Sequence, residues 1–177
     1  MRRRTRAREL ALQFLYTVEV RGPDARDEFD DFLQRSGASR FARQFATELV
    51  DGVLARKEQL DAAISATATN WSLSRMPAVD RTILRLGSYE LLHSPDVPVR
   101  VALNEAIELG KRYSTGQSGA FINGILDQVR SRRSFAPEVR DAPDDRDEEE
   151  PIAPGLAGDD DDAPSGGATT GGAAARR

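Results

Sequence analysis

Five arginines, Arg2, Arg3, Arg4, Arg6 and Arg8, stand among the first eight residues, and no acid precedes Glu9. A guanidinium pairs with phosphate in bidentate fashion and stacks on bases, so this cluster is a compact footprint for nucleic acid. Other chemistry is poorly served. His93 is the single histidine and sits beside a proline corner, with no nucleophile or carboxylate at motif spacing. Glu105 and Glu108 share one helix side, and without a neighbouring histidine they mark a solvated face. The chain has no cysteine, which removes disulfides, thiol nucleophiles and zinc knuckles and fits a reducing compartment. The glycines of STGQSG, residues 114 to 119, lack the preceding strand and the lysine of a phosphate loop. No catalytic residue, metal site or cofactor is expected.

The elements that must carry the arginines read as helices throughout. Leu10, Ala11, Phe14, Leu15 and Val18 fall on one face, so a basic arm leads into an amphipathic helix. Leu12 and Tyr16 lie off that stripe, either as a contact surface or as a wider core face. Gly22-Pro23-Asp24 ends this helix and starts a short second one with Phe29, Phe32 and Leu33 inward. Ser39 caps a third, in which Phe41, Phe45, Leu49 and Val53 form one buried ladder beside Ala42, Ala46, Val50 and Leu54. A segment from Lys57 to Ala68 follows, and Trp71 folds back onto the core.

Pro77 to Leu92, PAVDRTILRLGSYELL, is apolar over more than one helical face and reads as the central helix. Only Asp80, Arg81, Arg85 and Glu90 are left for the surface. SPDVP then makes a corner, since each proline disfavours a helical residue before it. Helix resumes over Val101 to Tyr113, and Ser118 caps a last helix with Phe121, Ile122, Ile125, Leu126 and Val129 inward. Asn123-Gly124 is a hairpin signal, overruled here by the helical period around it. Tyr113 and Phe121 flank the STGQSG loop and are candidates for stacking on unpaired bases, with core packing favoured for Phe121.

The net charge of −4 conceals a division. Residues 1 to 135 carry 21 basic and 17 acidic side chains, whereas 136 to 177 carry 4 and 12. From Ala136 onward there are five prolines, six glycines and no aromatic residue, a composition that cannot offset its ordering entropy. The chain therefore divides into a helical domain, 1 to 135, and a disordered acidic tail, 136 to 177. The N-terminus lacks the apolar run of a secretory signal and no apolar stretch is long enough for a membrane span, so a cytoplasmic protein is expected.

Four motifs in order, RRRTRARELALQFLY, DRTILRLGSYELL, VPVRVALNEAIELGKRY and FINGILD, resemble the NusB family of transcription antitermination and ribosomal RNA biogenesis factors. The resemblance covers roughly residues 2 to 133. It implies an all-α fold of about seven helices in two small helical bundles and a non-enzymatic function. The implied ligand is the boxA element of ribosomal RNA transcripts, and the implied partner is the small-subunit ribosomal protein that acts as Nus factor E. Together these would act indirectly on the RNA polymerase elongation complex. Carried over by motif, Arg3, Arg4, Arg6 and Arg8 contact RNA, joined by Gln117, Ser118 and Phe121, while Tyr16, Asp80 and Arg85 lie near the partner or RNA surface. The TGQSGA loop lacks the charges many relatives place there, which shifts weight to the arginines. The family's helical domain also precedes the catalytic domain of ribosomal RNA cytosine methyltransferases. A substrate-binding module of that kind is the alternative reading, disfavoured because the acidic tail stands where the catalytic domain would and the chain has no cysteine nucleophile, and a purely structural scaffold, separated by salt-sensitive RNA binding, is a third.

Overall fold

The computed structural model describes residues 3–68 and 72–131, so the expected acidic tail and the packing of Trp71 lie outside the described residues. Within them the chain forms α1 (Arg3–Arg21), α2 (Phe29–Arg35), α3 (Arg40–Ala55), α4 (Lys57–Thr67), α5 (Ala78–His93), α6 (Val99–Tyr113) and α7 (Ser118–Ser131). Short 3-10 segments at Pro23–Glu28 and Leu73–Arg75 complete the path. No strand occurs among the described residues, and no described helix is long and apolar enough to cross a membrane.

Local chemistry explains most boundaries. Gly22, at φ 98°, turns the chain out of α1, and Pro23 opens the first 3-10 segment, which stands where the sequence suggested an Asp24-capped helix. Gly37 at φ 64° ends the next connection. Ser39 caps α3, its hydroxyl oxygen accepting from the Ala42 N–H at 3.3 Å. Pro98 precedes α6, whose first turn follows from the Ser94–Val97 corner. Asn123-Gly124 is helical inside α7, as the surrounding period requires.

α1, α2 and α3 form one group and α4, α6 and α7 another, with α5 packed against α1, α3, α4, α6 and α7. Its apolar residues explain this placement: Ile83, Leu84, Leu86 and Leu91 are all essentially inaccessible. Glycines permit the closest approaches. Gly52 in α3 lies against the Tyr89 ring of α5, and a Cβ at Gly87 would come within 2.7 Å of Leu126 in α7.

The central helix departs from its sequence reading in one respect. Asp80, Arg85 and Glu90, assigned to the surface, are buried, and Arg81 is half-buried. For Arg85 and Glu90 the reason is charge pairing across the fold, which offsets desolvation, while Asp80 accepts from the Ser118 hydroxyl. Arg85 donates from Nε to Asp61 Oδ1 at 2.6 Å and from Nη1 to Glu19 Oε2 at 2.8 Å, and Arg81 Nε reaches Glu19 Oε1 at 2.8 Å. One ionic cluster thus ties α1, α4 and α5. Burial works against the Glu19 charge, yet hydrogen bonding from Arg81 and the field of Arg85 hold its carboxyl below the usual range.

The reverse correction applies to Phe41, expected in the core ladder and found 41% exposed at the first turn of α3. Phe45, Leu49 and Val53 are buried as read.

Candidate RNA interface

The arginines do not form a loose arm. From Arg3 onward they are the first turns of α1, consistent with the good helix propensity of arginine, and Arg2 lies outside the described residues. What fixes these turns is a polar seam with α6. Thr5 Oγ1 donates to Glu105 Oε1 at 2.9 Å, and Glu9, buried, receives Arg6 Nη1 at 3.2 Å and also pairs with Arg112 of α6. Arg4 reaches the 94–98 corner through Asp96, 3.4 Å away, while its guanidinium lies 5.2 Å from the Phe45 ring centroid.

Helical periodicity then divides the arginines. Arg3 is exposed, and Arg4 and Arg6 are half-exposed along one edge. Arg8 is turned inward and only 1% accessible, which removes it from the RNA-contacting set expected from sequence. Its Nε and Nη2 donate to Glu90 at 3.0 and 2.7 Å, and Nη1 lies 3.8 Å from Glu105. Burial opposes the Arg8 charge, but the neighbouring Glu90 and Glu105 carboxylates more than offset it and hold the guanidinium protonated. Its work is to position: it locks the start of α1 onto the end of α5.

The loop side contributes unevenly. Gln117 is exposed, Tyr113 is half-buried with the Arg112 guanidinium 5.6 Å from its ring, and Phe121 is half-buried against the core. Ser118 and Asp80, expected at RNA and partner surfaces respectively, instead meet each other in the interior. Ser118 Oγ lies 3.2 Å from Asp80 Oδ2 and 2.8 Å from Thr115 Oγ1, so this pair pins the start of α7 to the start of α5. Arg85 is likewise withdrawn by the ionic cluster with Glu19 and Asp61. Tyr16 is 43% exposed on α1, and Leu12, one turn earlier, is buried, so the wider-core reading holds for Leu12 alone.

No group of three or more His, Cys, Asp or Glu that could hold a metal occurs among the described residues. His93 is half-buried beside Tyr89, and burial together with Arg56 pushes its pKa down. Glu105 is committed to the α1–α6 seam, and only Glu108, paired with Lys111, is solvated.

A protein-family model described as the NusB family matches residues 5–131. The chain belongs to the NusB family. Transcription antitermination protein NusB of Anaeromyxobacter dehalogenans is 51% identical over 134 residues, covering 73% of this chain and 91% of that protein. NusB of Desulfatibacillum aliphaticivorans is 46% identical over 129 residues, with 73% and 90% covered. Among solved structures, T. maritima NusB aligns with a TM-score of 0.67 at 36% identity, over 72% of this chain and 90% of that one. A chain in the crystal structure of antitermination factors NusB and NusE in complex with dsRNA aligns with a TM-score of 0.68 at 28% identity, over 75% and 98%.

Two residues of this NusB-family surface escaped the sequence reading. Arg112 joins the α1 edge through Glu9, and its one available signal was the basic Lys111-Arg112 pair before Tyr113. Val20, 63% exposed one turn after Tyr16, extends that tyrosine into an apolar pair on α1. Its valine type gave no hint, because isolated apolar residues are usually read as core.

Proposed function

We propose that this chain is a non-enzymatic transcription antitermination factor that binds boxA-like RNA of ribosomal RNA transcripts together with the ribosomal protein acting as Nus factor E. The complex would then act on the elongating RNA polymerase. The observation that carries the reading is the basic edge in which Arg3, Arg4 and Arg6 of α1 stand beside Arg112 of α6. Side chains there sit on two helices joined by the Thr5–Glu105 and Glu9–Arg112 contacts, so phosphate contacts are pre-arranged with little ordering cost. Tyr113 and Gln117 border that edge and supply a ring face and an amide for unpaired bases. The solved relative that is crystallised with NusE and dsRNA supports both the ligand and the partner class. Tyr16 and Val20, an exposed aromatic–aliphatic pair, suit the protein partner. In this reading residues 136 to 177 are a separate acidic segment that adds no RNA contact.

The test is a salt titration of RNA affinity. Replacing Arg3, Arg4 and Arg6 with alanine is expected to weaken boxA binding and flatten the log–log salt dependence by about 0.7 per lost contact to a single strand, with helicity unchanged. An unchanged affinity and slope in the triple variant would remove the edge from the site.

A further inference from the structure

Arg40 and Arg43 in the first turn of α3 differ from most other arginines of the domain: neither guanidinium has a hydrogen-bonded or ion-paired partner among the described residues. Arg21, Arg26, Arg81, Arg85 and Arg112 are each tied to a carboxylate. Between them in sequence stands Phe41, the exposed aromatic that the core ladder was expected to absorb. Both arginines also line a groove between α2 and α3 whose other walls include Gln34, Gln44 and Thr47, with Asp30 the one acid.

We infer that the exposed first turn of α3 is a second segment of the RNA track, binding single-stranded RNA that flanks the boxA element, with Phe41 as a stacking platform on its Phe45 side and Arg40 and Arg43 as phosphate contacts on its α2 side. Three observations converge on that ligand. An isolated exposed ring with polar, cationic neighbours suits a base over phosphates, whereas a protein hot spot needs a desolvated apolar cluster around it. Unpaired guanidinium groups give up no internal ion pair when they meet a phosphate. Lastly, Phe41 continues the first site: it lies one helical turn before Phe45, on the same side of α3, and Phe45 is the ring over which Arg4 lies, while Arg40 and Arg43 reach the same first turn from its α2 side. A strand leaving the α1 edge past Arg4 and Phe45 would meet Phe41 first and the two arginines beyond it.

The inference rests on the RNA reading above, and the experiment separates the two. Affinity of the full chain would be measured for a boxA-only oligonucleotide and for the same boxA with unpaired nucleotides added on the 5′ side, the 3′ side or both. The expected result is that one flank tightens binding and steepens the salt dependence. Phe41→Ala should then lose roughly tenfold on the flanked RNA, as for one base–aromatic stack, and nothing on boxA alone. Phe41→Trp should restore the gain. Arg40→Ala with Arg43→Ala should lower the flanked-RNA salt slope by about 1.4.

If boxA alone binds and no flank adds affinity, or if Phe41→Ala weakens both RNAs equally, the inference is overturned while the RNA reading stands. If neither RNA binds the wild-type chain, the RNA reading itself has failed, and the α3 track with it. A Phe41→Ala variant that instead loses the ribosomal protein or changes its oligomeric state, with RNA affinities intact, would assign the face to a protein contact and also overturn the proposal.

Discussion

Glu90→Ala is expected to destabilise the domain by about 3 to 5 kcal/mol, the cost of leaving a buried charge without its partner. Glu90 and Arg8 are each 1% exposed, and two guanidinium nitrogens of Arg8 bond its carboxylate. Burial raises the Glu90 carboxyl above its ordinary range, with Arg8 offsetting only part of that, so the two charges depend on each other to stay inside. Without the carboxylate, Arg8 would keep only Glu105 at 3.8 Å and the Phe45 ring at 5.5 Å. Arg8→Met combined with Glu90→Leu removes both charges at similar volume and should cost far less than Glu90→Ala, as buried pairs replaced by apolar residues often do. Urea unfolding of the three proteins decides it. A loss below about 1 kcal/mol in Glu90→Ala would mean that water reaches the pair. The double variant also isolates the role of Arg8: its RNA salt slope should equal that of the wild type, because a residue enclosed between α1, α5 and α6 neutralises no phosphate.

Leu84→Ala should cost about 2 to 5 kcal/mol, the range for deleting a fully buried leucine where neighbours cannot collapse into the void. Leu84 has no accessible surface and sits on the helix that touches both helical groups. Relaxation there is constrained on several sides at once, since α5 is held at its Arg81–Arg85 turn by the ionic cluster and near its end by Arg8. Chemical denaturation checks this, and a change below half a kcal/mol would show that α5 is not the centre of the fold.

These two residues mark what sequence reasoning could and could not reach. Leu84 was legible because a multi-faced apolar pattern has one cheap solution, burial between partners. Ser39 as the cap of α3, the proline corner before α6 and the helical Asn123-Gly124 were legible because each follows from chemistry within a few residues. Arg8 was not, since its partner stands 82 positions away and nothing local separates it from Arg6. The same holds for Asp80 with Ser118 and for Arg85 with Asp61 and Glu19. A one-dimensional pattern assigns charge to the surface, and this fold uses three such charges to lock α5 to its neighbours. Phe41 is the converse case: its spacing fits the buried ladder, yet it stands 41% exposed while Ala42 next to it and Phe45 one turn on are buried. For the site, the resemblance pointed to the start of α1, and only the packing of α5 with its Glu90 against that start distinguishes exposed Arg3 and half-exposed Arg4 and Arg6 from buried Arg8.

The central claim, that the chain joins boxA-like RNA to a ribosomal protein, is tested most directly by RNA affinity with and without that protein present. The ribosomal protein is expected to tighten binding to boxA RNA, the RNA to tighten binding of the ribosomal protein by the same factor, as linkage requires, and a scrambled RNA to show neither effect. Equal affinity for boxA and scrambled RNA, unchanged by the ribosomal protein, would contradict it.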